Sequence, residues 1–343
     1  MKVGIIGCGA IAELRARALC RNGSGARLVA VHDADPDRAR AFARRFGARV
    51  LPEVGALVSD REVEAVIVST PPVAHGEGVL AALSAGRSVL CEKPLAPDPL
   101  AARQMVEEAK RRNLPLMCGF NHRFFPAVSS VRELLRAGQL GALDRVRAYA
   151  GHAGAPEFST SWITDRRVVG GGALMDNGIH IVDLVRHLAG EIVEVMARVS
   201  SRVYRLDVED NATVQMVAAN GCVIALEASW TDWSGYSFWV EARGDRGLAR
   251  AAYPPMRSLY VQRPDGGRPR KRWKIFPKVQ IAERLGSWRA TVVETFRREH
   301  AEWLGVLDRH APDVAATGAD GARAVEIAAA AYESSRTGRP VRL

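Results

Sequence analysis

The chain is 343 residues long and 48% hydrophobic, enough to fill one large or two ordinary domains. It holds no run of about 18 or more apolar residues, which argues against a transmembrane helix. "MKVGIIGCGAIAE" lacks the small-residue cleavage site of a signal peptide, so its glycines read as strand and turn. The formal net charge of +10 is mostly arginine, since only Lys2, Lys93, Lys110, Lys271, Lys274 and Lys278 are lysine. That charge fits either an anionic partner or an arginine-favouring composition, and it is dense only in "RPDGGRPRKRWKIFPK" at 263–278. The five cysteines, Cys8, Cys20, Cys91, Cys118 and Cys222, have no metal-type spacing and read as reduced thiols of a cytoplasmic protein.

In chain order, "VGIIG" (3–7), "LVAVHD" (28–33), "AVIVST" (65–70), "SVLCE" (88–92) and "LPLMCG" (114–119) read as strands. They are almost continuously apolar, as strands buried on both faces should be. Between them "IAELRARALCRNG", "PDRARAFARRFG" and "HGEGVLAALSAG" are amphipathic and close on glycine, and "PLAARQMVEEAKRRN" behaves alike. Strand–helix alternation at this spacing predicts a doubly wound parallel α/β sheet over about residues 1–122. From 123 to 343 the pattern changes. A helix near 126–137 and a strand near 143–151 lead to a Gly/Ser/Thr-rich loop and a helix over 173–189. "IVEVMARVSSRVY", "NATVQMVAANGCVIALEASW", "SFWVEARG" and "GLARAAY" then alternate, with "ANG" as a hairpin signal, and predict an antiparallel sheet in an α+β domain. The Pro/Gly/basic stretch 254–280 reads as an insertion or long loop. Helices near 290–309 and 318–337 end the sequence, with packing back onto the first domain open to them.

"GIIGCGAIA" follows the first strand and matches G-x-G-x-x-G/A through Gly7, Gly9 and Ala12. Such a turn lets backbone approach a pyrophosphate, held on N–H groups of the helix start at Ala10, Ile11 and Ala12. Asp33, about 20 residues further on, suits the two hydroxyls of an adenosine ribose and favours NAD over NADP. The competing reading has Asp33 or Asp35 only starting a turn or capping the helix after Pro36. Arg38 and Arg40 nearby leave NADP open. Thr70 and Pro71 fall at the carboxyl end of a strand, where ligands of such sheets bind, and His75 either lines that site or simply begins a helix.

On "GGGALMDNGIHIVDLVRHLAG" (170–190), Asp176, His180 and Asp183 are spaced i, i+4, i+7 and His187 continues the same face. A histidine oriented by a carboxylate is what an acid/base site needs. A solvated helix face and a metal site of Asp176, His180 and Asp183 are the alternatives, and zinc usually takes more His or Cys. The glycines at 170–172 would let the loop approach a ligand closely.

Together with "STPPVAHGEGVLAALSAGRSVLCEKPLA" (69–96) and "CGFNHRF" (118–124), these stretches resemble the Gfo/Idh/MocA oxidoreductases over most of residues 1–190. The resemblance implies a Rossmann domain and a C-terminal α+β domain on a large open antiparallel sheet, with the nicotinamide between them. It implies NAD(P), Glu92 and Lys93 of the Glu-Lys-Pro element beside the cofactor, and catalysis by Lys93, Asp176 and His180 with no metal. Asn121, Arg123, Trp162, Asp165, Asn177 and His180 become candidate substrate contacts, with His122 beside them, and a structural contact is the other role open to Arg123. The implied substrate is a sugar, inositol, sugar phosphate or nucleotide sugar, and the implied assembly a homodimer or homotetramer through the open sheet. Neither nucleic acid nor membrane is an implied partner. A lysine suits a single reacting oxygen, where arginine's planar fork suits carboxylates and phosphates. Two other readings compete: an NAD-dependent glycosidase working by transient oxidation, and a non-catalytic dinucleotide sensor, against which the retention of Lys93, Asp176 and His180 together argues.

Overall fold

The computed structural model describes residues 1–21, 25–154, 162–264, 267–307 and 312–343. In it the apolar runs of the first third become β1 (Lys2–Ile6), β2 (Arg27–His32), β3 (Arg49–Val50), β4 (Ala65–Val68), β5 (Ser88–Cys91) and β6 (Leu116–Cys118). They pair in parallel in the order 3-2-1-4-5-6, and the short strand Ala316–Thr317 adds antiparallel to β6. Every residue of β4 and β5 is buried, which is why these strands show no polar alternation. The order reverses between β1 and β4, and a ligand crevice in such sheets opens at the carboxyl ends there.

Short polar residues and turns set the helix ends. Asp35 accepts from the amides of Asp37 and Arg38 at the start of Pro36–Phe46, and Gly47 closes that helix at φ 69°. Asp98 does the same for Pro99–Arg112, which Asn113 ends in the left-handed region. The first helix is Ala10–Leu19, ending at Cys20; Gly23, expected to close it, lies outside the described residues.

The chain divides into two units, Met1–Phe124 with Leu285–Arg323 and Phe125–Arg284 with Ala324–Leu343. In the first, the helix Trp288–Leu307 inserts the fully buried Trp303 into the core formed by Val3, Ile5, Leu28 and Leu90. Trp303 Nε1 also donates to Ser88 Oγ at 3.2 Å.

The second unit holds β7 (Leu143–Gly151), β8 (Ile192–Ser200), β9 (Asn211–Ala218), β10 (Val223–Ser229), β11 (Ser237–Gly244), β12 (Gly247–Tyr253), β13 (Arg257–Gln262) and β14 (Arg270–Ile275). With the short strand Val341–Arg342 on β8 they form a nine-stranded sheet ordered β14-β13-β12-β11-β7-β10-β9-β8. Asn220 and Gly221 make the β9–β10 hairpin, as "ANG" predicts, with Gly221 at φ 84°. The sheet is antiparallel, as expected, but for one parallel pair, β7 with β10. One expectation changes. The stretch 254–280 is no loop: it supplies β13 and β14 and the start of the helix Pro277–Gly286, because "RSLYVQ" and "RKRWKI" alternate well enough to pair as a hairpin despite their charge.

By length and composition Arg166–Ala189 could cross a membrane, but 78% of its most apolar window is buried, so it is a core element of the second unit. Within it, Leu174–Gly178 is a π-helical turn leading into the helix Ile179–Ala189, which packs on β7.

Candidate active site

Within the first unit, the turn after β1 has the shape its glycines suggest. Gly7 has φ 89°, and a Cβ there would lie 2.7 Å from the Ser69 carbonyl carbon and 2.8 Å from the Thr70 nitrogen. Gly9 is the N-cap of Ala10–Leu19 with no side chain bonded to the helix amides, and a Cβ on it would meet nothing within 4 Å. Ala10 and Ile11 are exposed at that end, while Ala12 is fully buried. An uncapped helix start beside a glycine turn is a ready anion site. The buried hydroxyls of Ser69 and Thr70 have no hydrogen-bond partner among the described residues. Pro71 leads into the short helix Pro72–Ala74. This cradle fits the diphosphate of a dinucleotide.

Asp33 has a clear local task. Oδ2 accepts from the Cys8 amide at 2.7 Å and Oδ1 from the Asp35 amide at 2.8 Å, so the carboxylate ties the glycine turn to the end of β2. Arg38 Nη1 lies 3.5 Å away. Asp35, not Asp33, is the helix cap. Oδ1 takes both the Asp35 amide and Arg38, whereas Oδ2 keeps a further lone pair, which is compatible with accepting a ribose hydroxyl. Burial and the Asp33 charge push the Cys8 thiol up to about 12, which makes it unreactive.

His75 is buried. Its Nε2 lies 2.9 Å from the Thr70 carbonyl, and its Nδ1 lies 3.0 and 3.2 Å from those of Pro94 and Leu95. The ring therefore clips the turn after β4 to the Glu-Lys-Pro turn after β5. Glu92 is buried and accepts from Arg15 Nε at 2.6 Å, and its other oxygen lies 3.3 Å from the Lys93 amide. Lys93 itself is half-buried, and burial followed by the Lys93 charge holds His122 down near 3. Asn121 Nδ2 donates to Thr295 Oγ1 at 2.9 Å. Arg123 is buried, bonds the Val314 carbonyl at 3.1 Å and lies 3.7 Å from Asp320, which is the structural one of the two roles open to it.

In the second unit, the regular i, i+4 spacing does not hold across the π turn, so Asp176 sits in a wider turn than the sequence assumes. Asp176 Oδ2 accepts from Trp230 Nε1 at 3.1 Å and lies 3.4 Å from His152 Nε2. His152 Nδ1 lies 2.9 Å from the Ala153 carbonyl, which can only accept. With Nδ1–H committed there, Nε2 donates to Asp176 only as the imidazolium. Burial, and then the Asp176 charge, push the Tyr236 hydroxyl upward. His180 and Asp183 are buried and His187 is half-buried on the following helix. Asn177 is half-buried, with its amide nitrogen buried and unbonded among the described residues. Asp165 caps the short helix Arg166–Val169 and pairs with Arg167 at 2.7 Å, and Trp162 is half exposed. Among the described residues no group of three or more His, Cys, Asp or Glu could hold a metal ion.

Gly171 and Gly172 are required by the protein's own packing. A Cβ on Gly171 would lie 1.9 Å from the Tyr332 hydroxyl, and one on Gly172 1.9 Å from the Glu209 carbonyl oxygen. The buried Glu209 carboxylate receives the amides of Gly172 and Leu174, each at 2.9 Å, and the Tyr332 hydroxyl at 2.8 Å. Burial raises its pKa against those bonds. Glu209, Tyr332, His152 and Trp230 have no local signature, since each meets its partner across 24 to 123 residues of chain.

A model described as an oxidoreductase family with an NAD-binding Rossmann fold matches residues 1–120, and a GFO/IDH/MocA C-terminal domain model matches residues 128–250. An inositol 2-dehydrogenase of Acidothermus cellulolyticus is 34% identical over 325 residues, 92% of each chain. A D-apiose dehydrogenase of Paraburkholderia graminis is 29% identical over 358 residues, 100% of this chain and 89% of the relative. A levoglucosan dehydrogenase solved with NADH and levoglucosan shares the fold at a TM-score of 0.88 and 24% identity, covering 100% of this chain and 99% of its own.

Proposed function

Because the chain belongs to the Gfo/Idh/MocA family of NAD-dependent oxidoreductases, we propose that it interconverts a secondary alcohol and the matching ketone of an uncharged sugar or cyclitol. The observation that carries this reading is the Asp176 cluster: a carboxylate that accepts from Trp230 and faces His152, one turn ahead of the buried His180. It offers paired donors and acceptors for neighbouring hydroxyls and a histidine for the proton. The densest cationic segment, by contrast, forms β14, four strands from β7, or about 19 Å at about 4.8 Å per strand. That placement supports a neutral substrate over a phosphorylated one. The inositol and apiose dehydrogenases among the relatives support it too.

NAD, when bound, supplies the hydride acceptor. Lys93 donates a hydrogen bond to the reacting oxygen and stabilises its developing negative charge. His180 takes the hydroxyl proton in oxidation and returns it in reduction. Asp176 orients His180 or bonds a neighbouring hydroxyl. Asn121 and Arg123 hold the turn after β6, while Trp162, Asp165 and Asn177 line the substrate side.

We further infer a homodimer or homotetramer formed through the open sheet face, supported by Val193, Met196 and Val223, which stand exposed on β8 and β10. Light scattering after gel filtration reads that mass directly. A cytoplasmic location is supported by five free thiols.

The test of the activity is NADH formation at 340 nm with myo-inositol, free aldoses, sugar phosphates and nucleotide sugars. Turnover of a neutral polyol or sugar is expected, and turnover confined to phosphorylated or nucleotide-linked sugars overturns the substrate class. Lys93→Met and His180→Asn should each lower kcat by about 10²–10⁴-fold with NADH binding retained.

A further inference from the structure

Behind the Glu92–Lys93 turn lies a buried ionic cluster that the reaction described above does not use. Arg15 is fully buried on the helix Ala10–Leu19. Its Nε donates to Glu92 Oε1 and its Nη1 to Glu299 Oε2, with His300 Nε2 3.3 Å from Nη1. The guanidinium lies 3.7 Å from the Phe296 ring centroid. Gly119 seals the pocket, because a Cβ there would lie 2.6 Å from Arg15 Nη2 and 3.1 Å from Glu92 Oε2. One guanidinium thus faces two carboxylates in a buried site, and a buried charge left over is costly. The two carboxylates are not equivalent. Both Glu92 oxygens are near donors, Arg15 Nε and the Lys93 amide, whereas Glu299 Oε1 is buried with no hydrogen-bond partner among the described residues.

We propose that Glu299 is a proton-dependent positioning residue: when protonated it leaves Arg15 to Glu92, and when ionised it draws Arg15 away and loosens the Glu92–Lys93 turn. The inference rests on Lys93 serving the reacting oxygen. The groups facing Glu299 are Arg15 from the first helix, Glu92 from the end of β5, Arg123 from the short helix Asn121–Phe124, and His300 on its own helix. Burial, first, and the Glu92 charge raise Glu299 to about 7 against the pull of Arg15 and Arg123. Its change therefore falls in the physiological range. The histidines around the turn are silent there, since burial lowers His75, His122 and His300.

The scarcity of lysine makes the test direct. Reductive ¹³C-methylation labels six lysines, and Lys93→Arg identifies the Lys93 signal by its loss. In the NADH-bound wild type the Lys93 signal should move between about pH 6 and about pH 8 with a midpoint near 7. In Glu299→Gln it should stay flat. A flat Lys93 signal in the wild type, or an inflection that survives in Glu299→Gln, overturns the proposal. If Glu299→Gln does not fold, Glu299→Met takes its place, and the wild-type arm alone still overturns the idea when it is flat. Turnover plays no part in this readout. Full activity of Lys93→Met would sink the catalytic assignment separately from the network.

Discussion

A methyl group at Gly7 would press on the backbone of Ser69 and Thr70, and φ 89° already suits only glycine. Gly7→Ala should therefore cost about 1–3 kcal/mol of stability and abolish NADH binding, read by thermal unfolding and fluorescence titration. At Gly9 the same methyl meets open space, so Gly9→Ala should weaken NADH binding with little change in Tm. Glu299 carries a prediction of a different kind. Its folded pKa of about 7 lies above the ordinary glutamate value, so the folded state holds its proton more tightly than the unfolded chain. That stabilisation is complete below about pH 4 and is lost as pH rises through about 7. Glu299→Gln cannot ionise. Its Tm relative to wild type should rise between about pH 5 and about pH 8, by the equivalent of about 2 kcal/mol. A difference independent of pH would mean that the folded protein does not shift Glu299.

At the scale of an element, the helix bearing Asp176 and His180 is fixed at its start by Glu209 and Tyr332. Tyr332→Phe removes one hydrogen bond and should cost about 1 kcal/mol, whereas Glu209→Ala strands two buried amides and should cost about 2–4 kcal/mol. If the helix start also sets the site, Glu209→Ala lowers kcat more than it raises KM in steady-state assays. Much of this architecture was legible beforehand. The continuous apolar runs gave β1, β2 and β4 to β6, the "ANG" hairpin gave β9 and β10, and the Glu-Lys-Pro and Asp-x-x-x-His elements drew attention to Lys93, Asp176 and His180. What escaped has physical reasons. The two residues of β3 are too few for a period. The basic character of 254–280 hid an alternation that pairs as β13 and β14. The π turn shifts the spacing that placed Asp176. Gly171 and Gly172 answer to Tyr332 and Glu209, and Arg15 meets Glu299 only because 284 residues of chain fold back.

For the whole molecule, the first unit is not a contiguous piece of sequence. Trp303 fills its core, Arg15 lies on its first helix with both Glu299 and Phe296 against it, and Ala316–Thr317 extends its sheet. A fragment of residues 1–124 should consequently show little cooperative unfolding by circular dichroism, while 1–124 joined by a flexible linker to 285–323 should fold and bind NADH. A well-folded 1–124 fragment would show that the returning helices are accessories. The split also imposes an order on biosynthesis. The ribosome must make the whole β7–β14 sheet before Trp303 exists, a delay of roughly 10–40 s at the usual rates of translation. During that interval the emerging parallel sheet stands incomplete, so the nascent chain depends on a chaperone or on a provisional packing of its own.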